Sequence, residues 1–304
     1  MISWRYHLVS IVAVILAVAL GVLAGATVVG DRFVRQLRAQ TDAAQRRADE
    51  AEAEAGRLRT FMNSAIPYLT ADTLVGESVV LVTQDPWDRA MRDQVLQSLE
   101  AAGADVVAQL TATAQLTNAD AEADLADLVG RPSVAPADLP AALAGQVADR
   151  LTIGPSSRGD GTDLLERLGP FVQVDPGQGI DLAEVGGTGT MVVVFAGGTG
   201  DPVLDPDAFL LPLTGELAKT PGLVMAAGEG LTSDFGFVSA VRDDGDAFPD
   251  GTIVTVDDLD QPFGRVALVL GLADLLASPE GGGDYGVNGS GGILPPPRSS
   301  ETSA

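Results

Sequence analysis

The chain has 304 residues, no cysteine, one histidine and a formal charge of -24. Disulfide and thiolate chemistry are therefore excluded, and any globular part must be held together by a core. A surface of that sign repels nucleic-acid phosphates and anionic lipid, which argues against both as partners of the globular part.

Residues 1–30 read MISWRYHLVSIVAVILAVALGVLAGATVVG. From Leu8 to Gly30 there is no charged side chain, and about twenty such residues, rising 1.5 Å each, cross a hydrocarbon core as a helix. Trp4 and Tyr6 precede the run with Arg5 and His7, a polar and aromatic collar suited to the headgroup layer. Ala24-Gly25-Ala26 also satisfies the small-x-small rule for signal cleavage. The segment is thus a transmembrane anchor or an uncleaved signal, and an apolar run longer than the usual ~7–15 residue signal core favours retention.

Residues 31–66 predict one continuous helix, rich in Ala, Arg, Glu and Gln and ended by Pro67. Steps of three and four pick out Val34, Leu37, Thr41, Ala44, Ala48, Ala51, Ala55, Leu58, Met62 and Ala65. This heptad seam predicts a coiled coil, with a homo-oligomer formed through it because a shared anchor concentrates the helices. The alternative is a solvated stalk, since an alanine-rich seam buries little area at ~25 cal/mol per Å2.

Residues 67–278 change period. Ser78–Thr83 (strand), Trp87–Ala102 (amphipathic helix) and Ala104–Leu110 (strand) form a βαβ unit, which demands a parallel sheet and a right-handed crossover. Helices follow at Ala119–Val129, Leu139–Leu151 and Asp163–Leu168, with a possible strand at Phe171–Val174. Thr190–Ala196 (TMVVVFA) is the clearest buried strand, because its apolar residues run together without alternation. Helix and strand then alternate through Asp205–Ala218, Gly222–Ala227, Asp234–Arg242, Thr252–Val256 and an amphipathic helix at Phe263–Leu276. The fold class is α/β: a three-layer domain with a mainly parallel sheet. Residues 279–304, with Gly281-Gly282-Gly283 and Pro295-Pro296-Pro297, read as a disordered tail.

Catalytic chemistry has few places to stand. The only histidine, His7, lies in the collar, so no Ser-His-Asp or Cys-His arrangement and no His/Cys zinc site can form in the globular part. Gly186-Gly187-Thr188-Gly189 and Gly197-Gly198-Thr199-Gly200 flank the strand at Met191 but lack dinucleotide or P-loop spacing, and they read as tight connections. Asp243, Asp244, Asp246 and Asp250, then Asp257, Asp258 and Asp260, invite a hard-metal reading. Their spacing lacks the pattern of a calcium loop, so solvated turns are expected. Met62, Met91, Met191 and Met225 are scattered singly and read as packing, not as thioether ligands. No catalytic residue, no cofactor-binding residue and no metal ligand is assigned, and no enzymatic activity is expected.

The opening MISWRYHLVSIVAVILAVALGVLAG closely resembles the start of the actinobacterial MctB-like proteins, a copper transporter family. The likeness continues through the Ala-rich helix, LVGESVVLVTQDPW, LEAAGADVVAQLT and TVDDLDQPFGRVALVLGLADLL. The resemblance implies an envelope protein with a membrane segment, a stalk and an extracytoplasmic α/β domain, linked to copper efflux or homeostasis. It also implies an alternative, because some such relatives are linked to cell division and envelope assembly as partners of a second membrane protein. No site residue carries over from it.

A single spanning helix encloses no pore, and the strands lack the alternation of an outer-membrane barrel, so transport would need an oligomer or a partner. Copper enters this reading only as a transported ion. Arg32, Arg35 and Arg38 outnumber Arg5, and by charge alone would hold the stalk in the cytoplasm. Long domains translocate largely regardless of charge, and the signal-like layout favours the extracytoplasmic side.

Overall fold

The computed structural model describes residues 4–131, 133–155, 162–197, 203–233, 235–249 and 251–297, without the side chains of residues 5 and 24–35 in the first helix. The chain divides into two compact units, Met1–Phe61 and Met62–Ala304. Both take part in one helix, α1 (Trp4–Thr70).

In the first unit, Tyr6–Leu23 has a mean hydropathy of 2.5 and none of it is buried, so by length and composition it can cross a membrane. Arg5, Arg32, Arg35 and Ala24-Gly25-Ala26 lie outside the described side chains. Leu37 and Leu58 of the heptad seam are exposed.

The second unit begins with the last turns of α1. Pro67 does not end the helix: it sits inside it, one turn from the terminus. A proline removes one donor and strains against the carbonyl four residues back. Here that carbonyl belongs to Asn63, on an exposed part of the helix where water can satisfy it. Tertiary contact holds the turn beyond. Ile66 and Thr70 are buried, the Thr70 hydroxyl donates to the Ile66 carbonyl at 2.9 Å, and Leu74 is fully enclosed.

The remaining elements alternate as the hydrophobic period predicts: β1 (Ser78–Gln84), α2 (Arg89–Ala101), β2 (Asp105–Ala112), α3 (Glu122–Val129), α4 (Leu139–Ile153), α5 (Leu164–Arg167), β3 (Val172–Pro176), β4 (Thr190–Ala196), α6 (Leu210–Ala218), β5 (Met225–Glu229), α7 (Phe237–Asp243), β6 (Val254–Val256), α8 (Pro262–Ala277) and β7 (Gly283–Tyr285). The sheet order is β3-β2-β1-β4-β5-β6-β7. Among the described strands only β3 runs antiparallel, beside β2 at the edge. Every residue of β4 is buried, as its unbroken apolar run requires.

Successive strand residues point to opposite faces, and each face has its own core. Val80 and Val82, Val192 and Val194 meet side chains of α3, α4, α6 and α7. Val79 and Leu81, Met191, Val193 and Phe195 meet α2 and α8. This is the three-layer α/β arrangement. The final helix departs from its amphipathic reading. It is buried nearly all round, from Pro262 and Gly264 to Leu275, and even Arg265 is enclosed, donating to the Leu259 carbonyl (3.1 Å) and Asn63 Oδ1 (2.8 Å).

The tail is a second correction. Gly283–Tyr285 pairs in parallel with β6, Tyr285 is buried, and residues 286–292 turn back so that the Gly291 N–H reaches the Asp284 carbonyl at 2.8 Å. Composition suggested disorder, but glycines here serve close approach: a Cβ on Gly282 would lie 2.4 Å from the Ile253 carbonyl oxygen. Residues 298–304 lie outside the described residues. Tyr285→Ala should therefore destabilise the protein by roughly 3 kcal/mol, the usual cost of deleting a buried aromatic ring. Urea unfolding midpoints measure it, and an unchanged midpoint would return the segment to a free tail.

Candidate functional site: the carboxyl edge of the sheet

Open parallel sheets bind ligands outside the carboxyl ends of their strands, at the point where the winding reverses. In this order the reversal falls between β1 and β4. The crevice there is filled by the chain itself. Met91 of α2 is buried against Gly197 and Gly230, so closely that a Cβ on Gly197 would lie 2.6 Å from Met91 Cε. The amino end of α2 is occupied too, since the Asp88 carboxylate accepts from the N–H groups of Ala90 (2.8 Å) and Met91 (3.3 Å). Residues 198–200 of the second Gly-rich loop lie outside the described residues. The first Gly-rich loop is a tight connection. Gly187 N–H reaches the Leu151 carbonyl at 2.7 Å, and a Cβ on Gly186, at φ +84°, would meet that same oxygen at 2.8 Å.

Charge concentrates further along the same edge. Arg242, on α7, forks across three elements: Nε to Thr255 Oγ1 at 2.8 Å, Nη1 to Asp257 Oδ2 at 2.9 Å and Nη2 to the Tyr285 carbonyl at 2.8 Å. Asp284 Oδ1 lies 3.7 Å from its Nε and accepts from the Thr255 hydroxyl at 2.8 Å. Asp257 Oδ2 also accepts the Asn288 N–H at 2.9 Å. Neighbouring Glu229, buried at the end of β5, accepts from the Ser233 hydroxyl and the N–H groups of Gly236 and Val238 at 2.8–3.1 Å. Asp260 accepts from the Leu231 N–H at 2.7 Å and from Gln261 at 2.9 Å. These carboxylates lock loops in place.

Asp258 differs. It is 0% exposed, and neither of its carboxylate oxygens has a hydrogen-bond partner; Asp257 Oδ1 is likewise buried and unpartnered. Two glycines enclose the pair. A Cβ on Gly264 would sit 2.1 Å from Asp258 Oδ1, and one on Gly286 2.0 Å from Asp257 Oδ1. Burial, and next the charge of Asp257, push the Asp258 carboxyl up to about 7, against a smaller opposing pull from the charge of Arg242. A carboxyl poised there can hold or release a proton near neutrality. Among the described residues, no group of three His, Cys, Asp or Glu side chains is arranged to hold a metal.

The sequence-predicted acids thus divide. Asp243, Asp244 and Asp246 are exposed, Asp244 capping its own turn through the Ala247 N–H at 3.2 Å, while Asp250 lies outside the described residues. Asp257, Asp258 and Asp260 are not the solvated turn that their spacing suggests, because β7 and the start of α8 close over them. Arg242, Glu229 and Asp284 went unnoticed at the sequence level. The one available signal was a lone arginine set among the acids of VRDDGD.

Against known families, the chain matches the model described as "Copper transport outer membrane protein, MctB" over residues 1–296. It is 30% identical over 324 aligned residues to "Copper transporter MctB" of Mycobacterium tuberculosis (strain ATCC 25618 / H37Rv), covering 96% of this chain and 97% of the relative. The protein of that name from Mycobacterium bovis (strain ATCC BAA-935 / AF2122/97) matches to the same extent. The chain belongs to the MctB family. In this MctB chain Met91, Met191 and Met225 are buried in the two cores and Met62 is half-buried, while His7 is exposed on the apolar helix span.

The Asp258 carboxyl has a sign that can be worked out. Its pKa is raised from 3.8 to about 7 in the folded state. The folded protein therefore binds the extra proton between those values, and this contribution to stability is lost as pH rises from about 4 through 7. Asp258→Asn removes the charge while keeping the shape. Urea unfolding at pH 5 and pH 8 should show the variant gaining on the wild type by roughly 2–4 kcal/mol more at the higher pH. An equal difference at both pH values would mean that Asp258 is ionised throughout.

Proposed function

We propose that this chain is a membrane-anchored cell-envelope protein contributing to copper efflux or homeostasis, with copper as the transported ion and not a resident cofactor. The observation that carries the reading is the whole-chain family match, joined to 30% identity with a relative named as a copper transporter. The anchor in this reading is the apolar span Tyr6–Leu23, and the signal-like layout of the first segment supports an α/β domain on the extracytoplasmic side of the membrane. One helix conducts nothing by itself, so transport proceeds through an oligomer or with a second envelope membrane protein. No residue is assigned as a copper ligand, and no enzymatic step is invoked.

A second reading, an interaction scaffold for envelope assembly or division, is favoured by one specific feature. Leu37 and Leu58, three heptads apart in the seam, are 46% and 59% exposed along one helix rich in charged residues. Apolar residues at heptad spacing on an exposed helix support pairing with another helix, here a second copy through the coiled coil.

Deleting the gene and measuring cell copper and copper tolerance alongside cell shape separates the readings. Raised cell copper with lowered tolerance is expected. Normal copper handling with altered division or wall integrity would sink the transport reading and leave the scaffold. The absence of native cysteine makes the seam directly testable. Leu58→Cys in the full chain should give a disulfide-linked dimer under mild oxidation, whereas Arg46→Cys, on the charged side of the helix, should not. Equal cross-linking at both positions, or none at either, would count against the coil.

A further inference from the structure

The domain carries one feature of opposite charge to the rest. Beyond residue 60 the basic residues are few, and most of the described arginines are engaged. Arg92 pairs with Asp93 and stacks 4.1 Å over Trp87. Arg242 is forked at the carboxyl edge, and Arg265 is enclosed under Asn63. Three others, Arg131, Arg150 and Arg167, line a single cavity of about 270 Å3.

The cavity is built from α3, α4 and α5. Gly130, in the left-handed conformation at φ +64°, ends α3 and turns the chain so that Arg131 follows at the rim. Gln146, Asp149, Arg150 and Ile153 share one face of α4, being three or four residues apart. Arg167 closes the site from the end of α5. Arg150 is the fixed member. Its guanidinium pairs bidentately with Asp163 at 2.7 and 2.9 Å and donates to the carbonyls of Val185 (2.5 Å) and Leu182 (2.9 Å). Asp163 neutralises it, and these bonds hold the floor of the cavity rigid.

Arg131 and Arg167 form no ion pair among the described residues, although acids outnumber bases 42 to 18 in the chain. Each could lower its energy by pairing with one of those acids, yet both line one concavity in which Asp149 is the only acid among the described lining residues. Guanidinium groups that line one cavity supply forked donors suited to a planar or tetrahedral oxyanion. At physiological salt the screening length is about 8 Å, so the distant negative charge of the protein does not cancel the local field.

We propose that this cavity binds a phosphate group, held between the guanidinium groups of Arg131 and Arg167 over the floor made by Arg150. The phosphate can belong to a small soluble molecule or to the headgroup of a lipid in the membrane that anchors the chain. The proposal does not depend on the copper reading, and its test reads binding alone.

The experiment uses the full chain in a non-ionic detergent. Thermal midpoints and titration calorimetry are recorded with inorganic phosphate, with chloride at matched ionic strength, and with mixed micelles carrying phosphatidylglycerol or phosphatidylcholine. A saturable rise of the midpoint with phosphate, absent with chloride, is expected. In Arg131→Gln/Arg167→Gln binding should weaken by at least about tenfold, in line with the loss of charge-assisted forked bonds. Arg131 is exposed and Arg167 half-buried, so the variant should fold, which its circular dichroism and unliganded midpoint verify. As a second control, Arg89→Gln, an exposed arginine outside the cavity, should bind as the wild type does. A response to inorganic phosphate identifies a soluble ligand, and one confined to phosphatidylglycerol micelles identifies a headgroup. Equal responses in wild type and double variant, a rise with chloride equal to that with phosphate, or no response to either phosphate or phosphatidylglycerol would overturn the proposal.

Discussion

The constraint on which the rest of the domain depends is that a parallel sheet must be covered on both faces. β1 and β4 form its centre, and their side chains alternate between two cores. One core is made with α3, α4, α6 and α7, the other with α2 and α8. Burying Val, Leu, Phe and Met side chains at ~25 cal/mol per Å2 is the main favourable term available to a chain without disulfides. The crossovers that cover the faces also bring every helix start and loop of the parallel strands to one edge. The carboxyl edge is therefore a product of the packing.

At that edge the molecule resolves a conflict between many acids and few bases. Arg242 gathers Asp257, Asp284 and the Tyr285 carbonyl, while Glu229 and Asp260 spend their oxygens on backbone N–H groups. Such bonds convert carboxylates from a source of repulsion into loop anchors. Asp258 is left enclosed without partners. Burying an ionised carboxylate unpaired is costly, so the group shifts toward its neutral form. The crevice at the winding reversal is sealed by Met91, a flexible side chain suited to an irregular gap.

Much of this architecture was legible in the sequence, and the exceptions have physical reasons. The run Thr190–Ala196 could be nothing but a strand covered on both faces, and the βαβ period around Trp87–Ala102 implied parallel pairing. Pro67 misled because its local penalty is outweighed by the burial of Ile66 and Thr70. β7 was hidden because three residues with two small or polar members carry no period, and only Tyr285 hints at a core. Asp258 reads locally as part of a solvated DDLD turn. Its burial arises from Gly264 and Gly286, the latter 28 residues away in the chain, and no local pattern reports that. Arg131 and Arg167 likewise meet only in three dimensions. The apolar N-terminal span was plain from length and composition alone, whereas the homo-oligomer expected of the seam behind it rests on heptad spacing.

The central claim is that the second unit is one cooperative sheet running from β3 to β7, with its Gly-rich end closing the acidic edge. Hydrogen exchange on the full chain, followed by mass spectrometry, tests this most directly. Peptides covering β1, β4 and residues 283–292 should exchange slowly, those of β1 and β4 slowest of all, and all three should lose protection together as urea approaches the unfolding midpoint. Exchange of residues 283–292 at the rate of an unstructured chain, while β1 and β4 stay protected, would contradict the account.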